Sequence, residues 1–200
     1  MQLIMATGNQ NKVREIREML EGTSFTILSM KDAGIEADID ENGTTFEENA
    51  VIKAETIRDL TGQMVLADDS GLEVECLNGE PGIYSARYCP KPGATDKDRR
   101  DWLLENIRKC GAPRPWKARF VCEIAIVYPE ENKTLMAAGY CEGEIIPEER
   151  GSNGFGYDPI FFRPDLNKTL AELSEAEKNA ISHRGNAIKK AKPYLIRNQD

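Results

Sequence analysis

Gln2-Leu-Ile-Met-Ala-Thr-Gly-Asn-Gln-Asn-Lys12 decides the class of fold. Gln2–Ala6 is a short apolar run that reads as a strand, and the polar turn Thr7–Lys12 feeds a helix with Val13, Ile16 and Leu20 on one face. Outward from it the same alternation recurs. Phe25–Leu28 reads as a second strand, Asp32–Asn42 as an acidic connection, and the next helix opens where Thr44 and Glu47 stand at capping-box spacing and runs to about Leu60. Met64–Ala67 is a buried-type strand expected to stop at Asp68-Asp69-Ser70-Gly71. Asn78–Gly82 and Cys89–Thr95 carry loop composition, and a helix is expected near Asp98–Cys110. Ala118–Tyr128 and Thr134–Glu142 flank Pro129–Lys133 as an antiparallel hairpin would. Gly151–Pro159 is a glycine-rich loop before a short strand at Ile160–Phe162; Ser174 and Glu177 offer a capping box, and Ala187, Ile188, Ala191 and Leu195 line one face of a closing helix. Strands and helices in mixed order with a hairpin give an α/β class with a mixed sheet, and 200 residues suit one domain.

Composition narrows the partners. Lys+Arg 26 against Asp+Glu 34 leaves a net charge of −8, which argues against a general nucleic-acid or anionic-membrane surface. The apolar run Ile124–Tyr128 is far short of the roughly 20 residues that span a bilayer. The opening residues show no basic segment with a long apolar stretch, so no secretory signal is read. Five scattered cysteines without a Cys-x-x-Cys pair favour reduced thiols and a cytoplasmic setting, and one histidine leaves little for a Cys/His zinc site.

Five places can carry chemistry. The Thr7–Lys12 turn presents backbone N–H groups and the positive end of a helix, which suits a phosphate or is simply a well-capped helix start. On the next helix Asn49 and Lys53 fall on or beside the apolar stripe of Phe46, Ala50, Ala54 and Ile57; an inward lysine snorkels or meets an anion. Asp68 and Asp69 either hold a divalent cation, with Asp38, Asp40 or Glu41 of the acidic loop as a further ligand, or are solvated turn acids. Phe155-Gly-Tyr-Asp-Pro159 offers two aromatic faces and an acid, as a base-binding loop needs and as a tight turn anchored in the core also has. Lys178 and Ser182-His-Arg184 bring potential cations to one corner of an acidic chain.

Taken in order, Thr7–Lys12, Glu47–Ala54, Ala67–Leu72, Pro81–Arg87, Gly154–Pro159 and Ser182–Arg184 resemble the motif series of the inosine/xanthosine triphosphate pyrophosphatases, from residue 3 to about 195 within a single domain placed at 1–197. The resemblance implies a long mixed sheet flanked by helices, two lobes with a nucleotide cleft between them, and a homodimer. It implies Mg²⁺-dependent attack of water between the α- and β-phosphates of ITP, dITP and XTP, giving a nucleoside monophosphate and pyrophosphate. By the same resemblance Thr7, Gly8, Asn9, Gln10, Asn11 and Lys12 hold the triphosphate together with Lys53. Asp69 takes the proton of the attacking water and binds the metal with Glu41; Asp68 assists, and Ser70 touches the nucleotide. Phe155 stacks on the base, while Gly156, Tyr157, Asp158, Lys178, His183 and Arg184 shape its pocket. Two competing readings are a Maf-type pyrophosphatase that prefers pyrimidine nucleotides and a nucleotide-binding module without turnover; the Phe155 loop and the Ser-His-Arg corner argue against the first.

Overall fold

Leu3, Ile4 and Met5 are all buried, as a parallel strand covered on both faces requires. A computed structural model describes residues 1–130 and 134–196. In it β1 (Gln2–Met5) pairs in parallel with β2 (Thr26–Ser29) and with β3 (Val65–Val74), where Ile4 faces Leu28 on one side and Val65 on the other. With β4 (Trp116–Val127), β5 (Thr134–Ile145), β6 (Phe161–Arg163) and β7 (Lys168–Thr169) they form one seven-stranded sheet in the order β2-β1-β3-β4-β5-β6-β7. β6 runs antiparallel to both β5 and β7, so the sheet is mixed, as the sequence indicates. The helices are α1 (Gln10–Met19), α2 (Phe46–Thr61), α3 (Asp96–Cys110), α4 (Glu175–Ile181) and α5 (His183–Ile196). No helix among the described residues is long and apolar enough to cross a membrane.

The chain divides into two compact units, the first comprising residues 1–69, 122–139 and those from 184 onward, the second 70–121 and 140–183. The first has an apolar core on each face of its strands. Leu3, Met5 and Leu66 pack with Val13 and Ile16 of α1 and Ala187 and Ala191 of α5. Ile4, Ala6, Val65 and Ala67 pack with Ala50, Ala54 and Ile57 of α2. The second unit has its own core, in which Leu72 and Val74 meet Leu103 and Ile107 of α3, Phe120 and Phe161.

Three expectations are corrected. β3 does not stop at Asp68 but runs on to Val74, because Leu72 and Val74 continue its buried pattern and both intervening acids find cations. The cap of α2 lies one residue later than Thr44: the Thr45 hydroxyl accepts the Glu48 N–H at 3.1 Å, and the Glu48 carboxylate turns back to the Thr44 N–H at 2.6 Å. α3 starts at Asp96 rather than Asp98, because Thr95 and Asp98 close a capping box in front of it. β4 and β5 are sheet neighbours, as a hairpin requires; residues 131–133 of the turn between them, and the assigned domain end at 197, lie outside the described residues.

Candidate active site

In the first unit the pleat of β3 decides everything. Successive side chains of a strand point to opposite faces, so Asp68 follows Leu66 toward α1 and α5 while Asp69 follows Val65 and Ala67 toward α2. On its face Asp68, wholly buried, accepts from Lys12 Nζ at 2.5 Å on Oδ1 and from Arg184 Nε at 2.7 Å on Oδ2, with Cys122 Sγ at 3.1 Å. Arg184, itself only 1% exposed, sends Nη1 to Glu15 Oε2 at 2.5 Å. Burial works against a charged Asp68, yet Arg184 and Lys12 outweigh it and hold the carboxyl well below the usual carboxylate range. Two cations and two carboxylates thus close a buried, charge-balanced cluster.

Lys12 reaches that cluster from the Thr7–Lys12 turn. Asn9 caps α1, its side-chain oxygen accepting the N–H groups of Asn11 and Lys12 at 3.0 and 3.3 Å. The Thr7 hydroxyl accepts the Asn9 N–H at 3.1 Å, so the turn is shaped by its own side chains. Gly8, Asn9 and Gln10 are exposed.

On the other face Lys53 Nζ lies 2.6 Å from Asp69 Oδ1 and 3.0 Å from Glu41 Oε2. Asn49 and Lys53 are buried on the inward stripe of α2 with Ala50, Ala54 and Ile57. Asn49 ties the end of the acidic loop to that helix by accepting the Gly43 N–H at 2.9 Å, and a Cβ on Gly43 would come within 2.7 Å of the same oxygen. Burial pulls the Lys53 ammonium down, but Asp69 and Glu41 prevail and raise it. Burial pushes the Asp69 carboxyl above its ordinary value against the pull of Lys53 and Lys12. Among the described residues no three His, Cys, Asp or Glu side chains gather into a ready-made metal cage. Glu41 and Asp69 do converge on one cationic point, and a pair of carboxylates is the donor set Mg²⁺ takes when phosphates and waters complete its octahedron. The residues present fit that ion.

In the second unit the loop before β6 is built around Asp158. Its Oδ2 accepts the Phe155 N–H at 2.9 Å and Lys178 Nζ at 2.6 Å. Gly154, at φ +73°, passes so close that a Cβ there would stand 2.1 Å from the same oxygen, so only glycine serves. The Lys178 ammonium also lies 4.7 Å from the centroid of the half-buried Phe155 ring, within cation–π range. Tyr157 is buried, and its hydroxyl donates to Ser85 O at 2.9 Å. The His183 ring stacks on Phe120 with centroids 4.7 Å apart. Ser70 sits half-buried in β3 at the start of this unit.

Residues 3–194 match the family model described as the Ham1 family. The chain belongs to the Ham1 family. Curated relatives include a dITP/XTP pyrophosphatase of Bacillus licheniformis, 48% identical over 97% of each chain, and one of Bacillus anthracis, 44% identical over 94% of this chain and 93% of the relative. Among solved structures, a HAM1 protein from Coxiella burnetii is 40% identical with a TM-score of 0.88, covering 98% of this chain and 99% of the other. The Staphylococcus aureus Ham1 protein is 39% identical with a TM-score of 0.86 over the whole of both chains.

Within this Ham1 chain the expected site residues fall into two groups. Thr7 to Lys12, Glu41, Lys53, Asp68 and Asp69 belong to the first unit, and Ser70, Phe155 to Asp158, Lys178 and His183 to the second. Arg184 belongs to the first unit, where it meets Asp68 and Glu15. Glu15, Cys122, Asp96 and Arg100 lie outside the sequence motifs. Glu15 gave one faint signal, an acid in a helix between the core residues Val13 and Ile16.

Proposed function

We propose that this Ham1-family chain is a hydrolase of deaminated purine nucleoside triphosphates (ITP, dITP and XTP), releasing pyrophosphate and leaving the nucleoside monophosphate. The observation that carries the reading is the meeting of Asp69 and Glu41 on the buried Lys53 ammonium, two acids and a cation at one point that Glu41 leaves partly open to solvent. When bound there by Glu41 and Asp69, Mg²⁺ supplies charge neutralisation for the phosphates. Asp69 accepts the proton as a water oxygen forms its bond to the α-phosphorus and the bond to the bridging α–β oxygen breaks, the electron pair leaving with pyrophosphate. Lys53 and Lys12 balance the negative charge of the phosphates, and the Thr7–Asn11 turn aligns them. Asp68, fixed by Arg184, holds Lys12 in place and thereby assists.

Phe155 stacks on the purine, and Lys178 and His183 act as donors toward the carbonyl at its six-position. Adenine presents an amino group there, which would leave a buried donor facing a donor, and such a mismatch is rejected strongly. Gly156, Tyr157 and Asp158 give the loop its shape. The names of the relatives, dITP/XTP pyrophosphatases, support this substrate class. The reading places the enzyme in the cytoplasm as a homodimer that clears the nucleotide pool.

The test is pyrophosphate release from ITP, XTP, GTP, ATP, dTTP and UTP, each with Mg²⁺ and with EDTA. Release from ITP and XTP that EDTA abolishes is expected. Release mainly from dTTP or UTP would move the chain to a pyrimidine-preferring activity, and nucleotide binding without release would leave a binding module.

A further inference from the structure

The loop that carries Phe155 is fastened to a helix that none of its motifs includes. Gly156, at φ +62°, donates its N–H to Asp96 Oδ2 at 2.8 Å and receives Arg100 Nη1 on its carbonyl at 2.7 Å. Asp96 and Arg100 stand one turn apart at the start of α3 and so present both groups to one face. Neither is casually placed. The second oxygen of Asp96 takes Arg99 Nη2 at 2.6 Å. Arg100, with 11% of its side chain exposed, sets Nε and Nη2 on the two oxygens of Glu149 at 2.9 and 3.1 Å.

The consequence for Phe155 follows from backbone geometry. The peptide plane before Phe155 is held by its own N–H on Asp158. The plane after it is held by the Gly156 N–H on Asp96. Two fixed planes leave one residue with neither φ nor ψ to turn, and its Cα–Cβ direction is then set. Asp158 supplies one of those planes from within the loop, and α3 supplies the other. Arg100 fixes the next plane, ahead of the buried Tyr157.

We infer that Asp96 and Arg100 are positioning residues for base recognition, aiming the Phe155 ring through the backbone of Gly156. The inference rests on the reading that Phe155 stacks on the purine. Removing Asp96 frees the plane after Phe155, and removing Arg100 frees the plane that follows Gly156; neither change touches Lys53, Asp69 or Glu41, so the loss falls on base binding.

Steady-state kinetics on Asp96→Ala, Arg100→Ala, Phe155→Ala and the double variant Asp96→Ala/Phe155→Ala test it, with inorganic tripolyphosphate as a competitive probe of the phosphate end. Asp96→Ala and Arg100→Ala should each raise KM for ITP about tenfold, the scale of one lost positioning hydrogen bond, with kcat within about twofold. The inhibition constant of tripolyphosphate should stay unchanged. In the Phe155→Ala background Asp96→Ala should add nothing, because its route runs through that ring. Additive effects in the double variant, or tripolyphosphate binding that weakens in step, would overturn the inference and make Asp96 merely structural. If Phe155→Ala itself leaves KM for ITP unchanged, the stacking reading fails instead. Should Asp96→Ala not fold, Asp96→Asn, which keeps an acceptor for the Gly156 N–H, must restore KM to near the parent value while Arg100→Lys, with no planar fork for Glu149 and Gly156, does not.

Discussion

Arg184 Nε and Asp68 Oδ2 lie 2.7 Å apart in the core of the first unit although 116 residues separate them in the chain. Both are essentially out of water, and breaking a buried pair by removing one charge costs about 3–5 kcal/mol. Asp68→Asn should therefore lower unfolding stability by that amount, because Lys12 and Arg184 keep their charges. A urea midpoint that corresponds to less than about 1 kcal/mol of loss would show the cluster to be slack.

Asp69 serves the reaction rather than the core in the proposed mechanism. Asp69→Asn should cut kcat by about 10²–10⁴-fold, the usual contribution of a positioned base, while ITP binding measured by calorimetry stays close to the parent's. Turnover within a few-fold of the parent would remove Asp69 from that role.

Lys178 is bonded to Asp158 and packed over the Phe155 ring. Lys178→Ala should narrow the ratio of ITP to ATP kcat/KM by about tenfold or more. An unchanged ratio would place base selectivity elsewhere.

Asp32 gives a pH signature free of the site. Its carboxylate accepts from the Ser29 hydroxyl and N–H and from Arg17, and these bring it down from 3.8 to about 2. A folded-state value below the unfolded one contributes stability that is complete above the unfolded value and disappears as pH falls through the folded one. Between pH 3.8 and about 2, then, the parent should lose stability more steeply than Asp32→Asn, and the two curves should run parallel at neutral pH. Equal slopes in acid titrations of Tm would disprove the assignment.

What the sequence could show depended on how local the cause was. The strand-turn-helix at Gln2–Leu20 was legible because periodicity and an Asn9 cap act within a few residues. The inward lysine and asparagine of α2 could be read from 3.6-residue spacing alone. The end of β3 was misplaced because two adjacent acids resemble a turn until their cations are known. Those cations come from Lys12, Lys53 and Arg184, which no local pattern connects to them. The same holds for Arg184, read beside His183 on adjacency and found on Asp68. Asp96 and Arg100 escaped for a further reason: they act on another segment's backbone, and a backbone amide leaves no mark on residue identity.

The buried cluster around Asp68 also sets an order of events during synthesis. Lys12 and Glu15 come from near the beginning of the chain, Asp68 from about a third of the way along it, and Arg184 only from near the end. A nascent chain that has left the ribosome as far as His183 already holds every residue of the second unit, yet lacks the guanidinium that Asp68 and Glu15 share. The unit begun by the earliest residues is thus completed last. Arrest or truncation before residue 184 would leave Asp68 and Glu15 without the guanidinium they share.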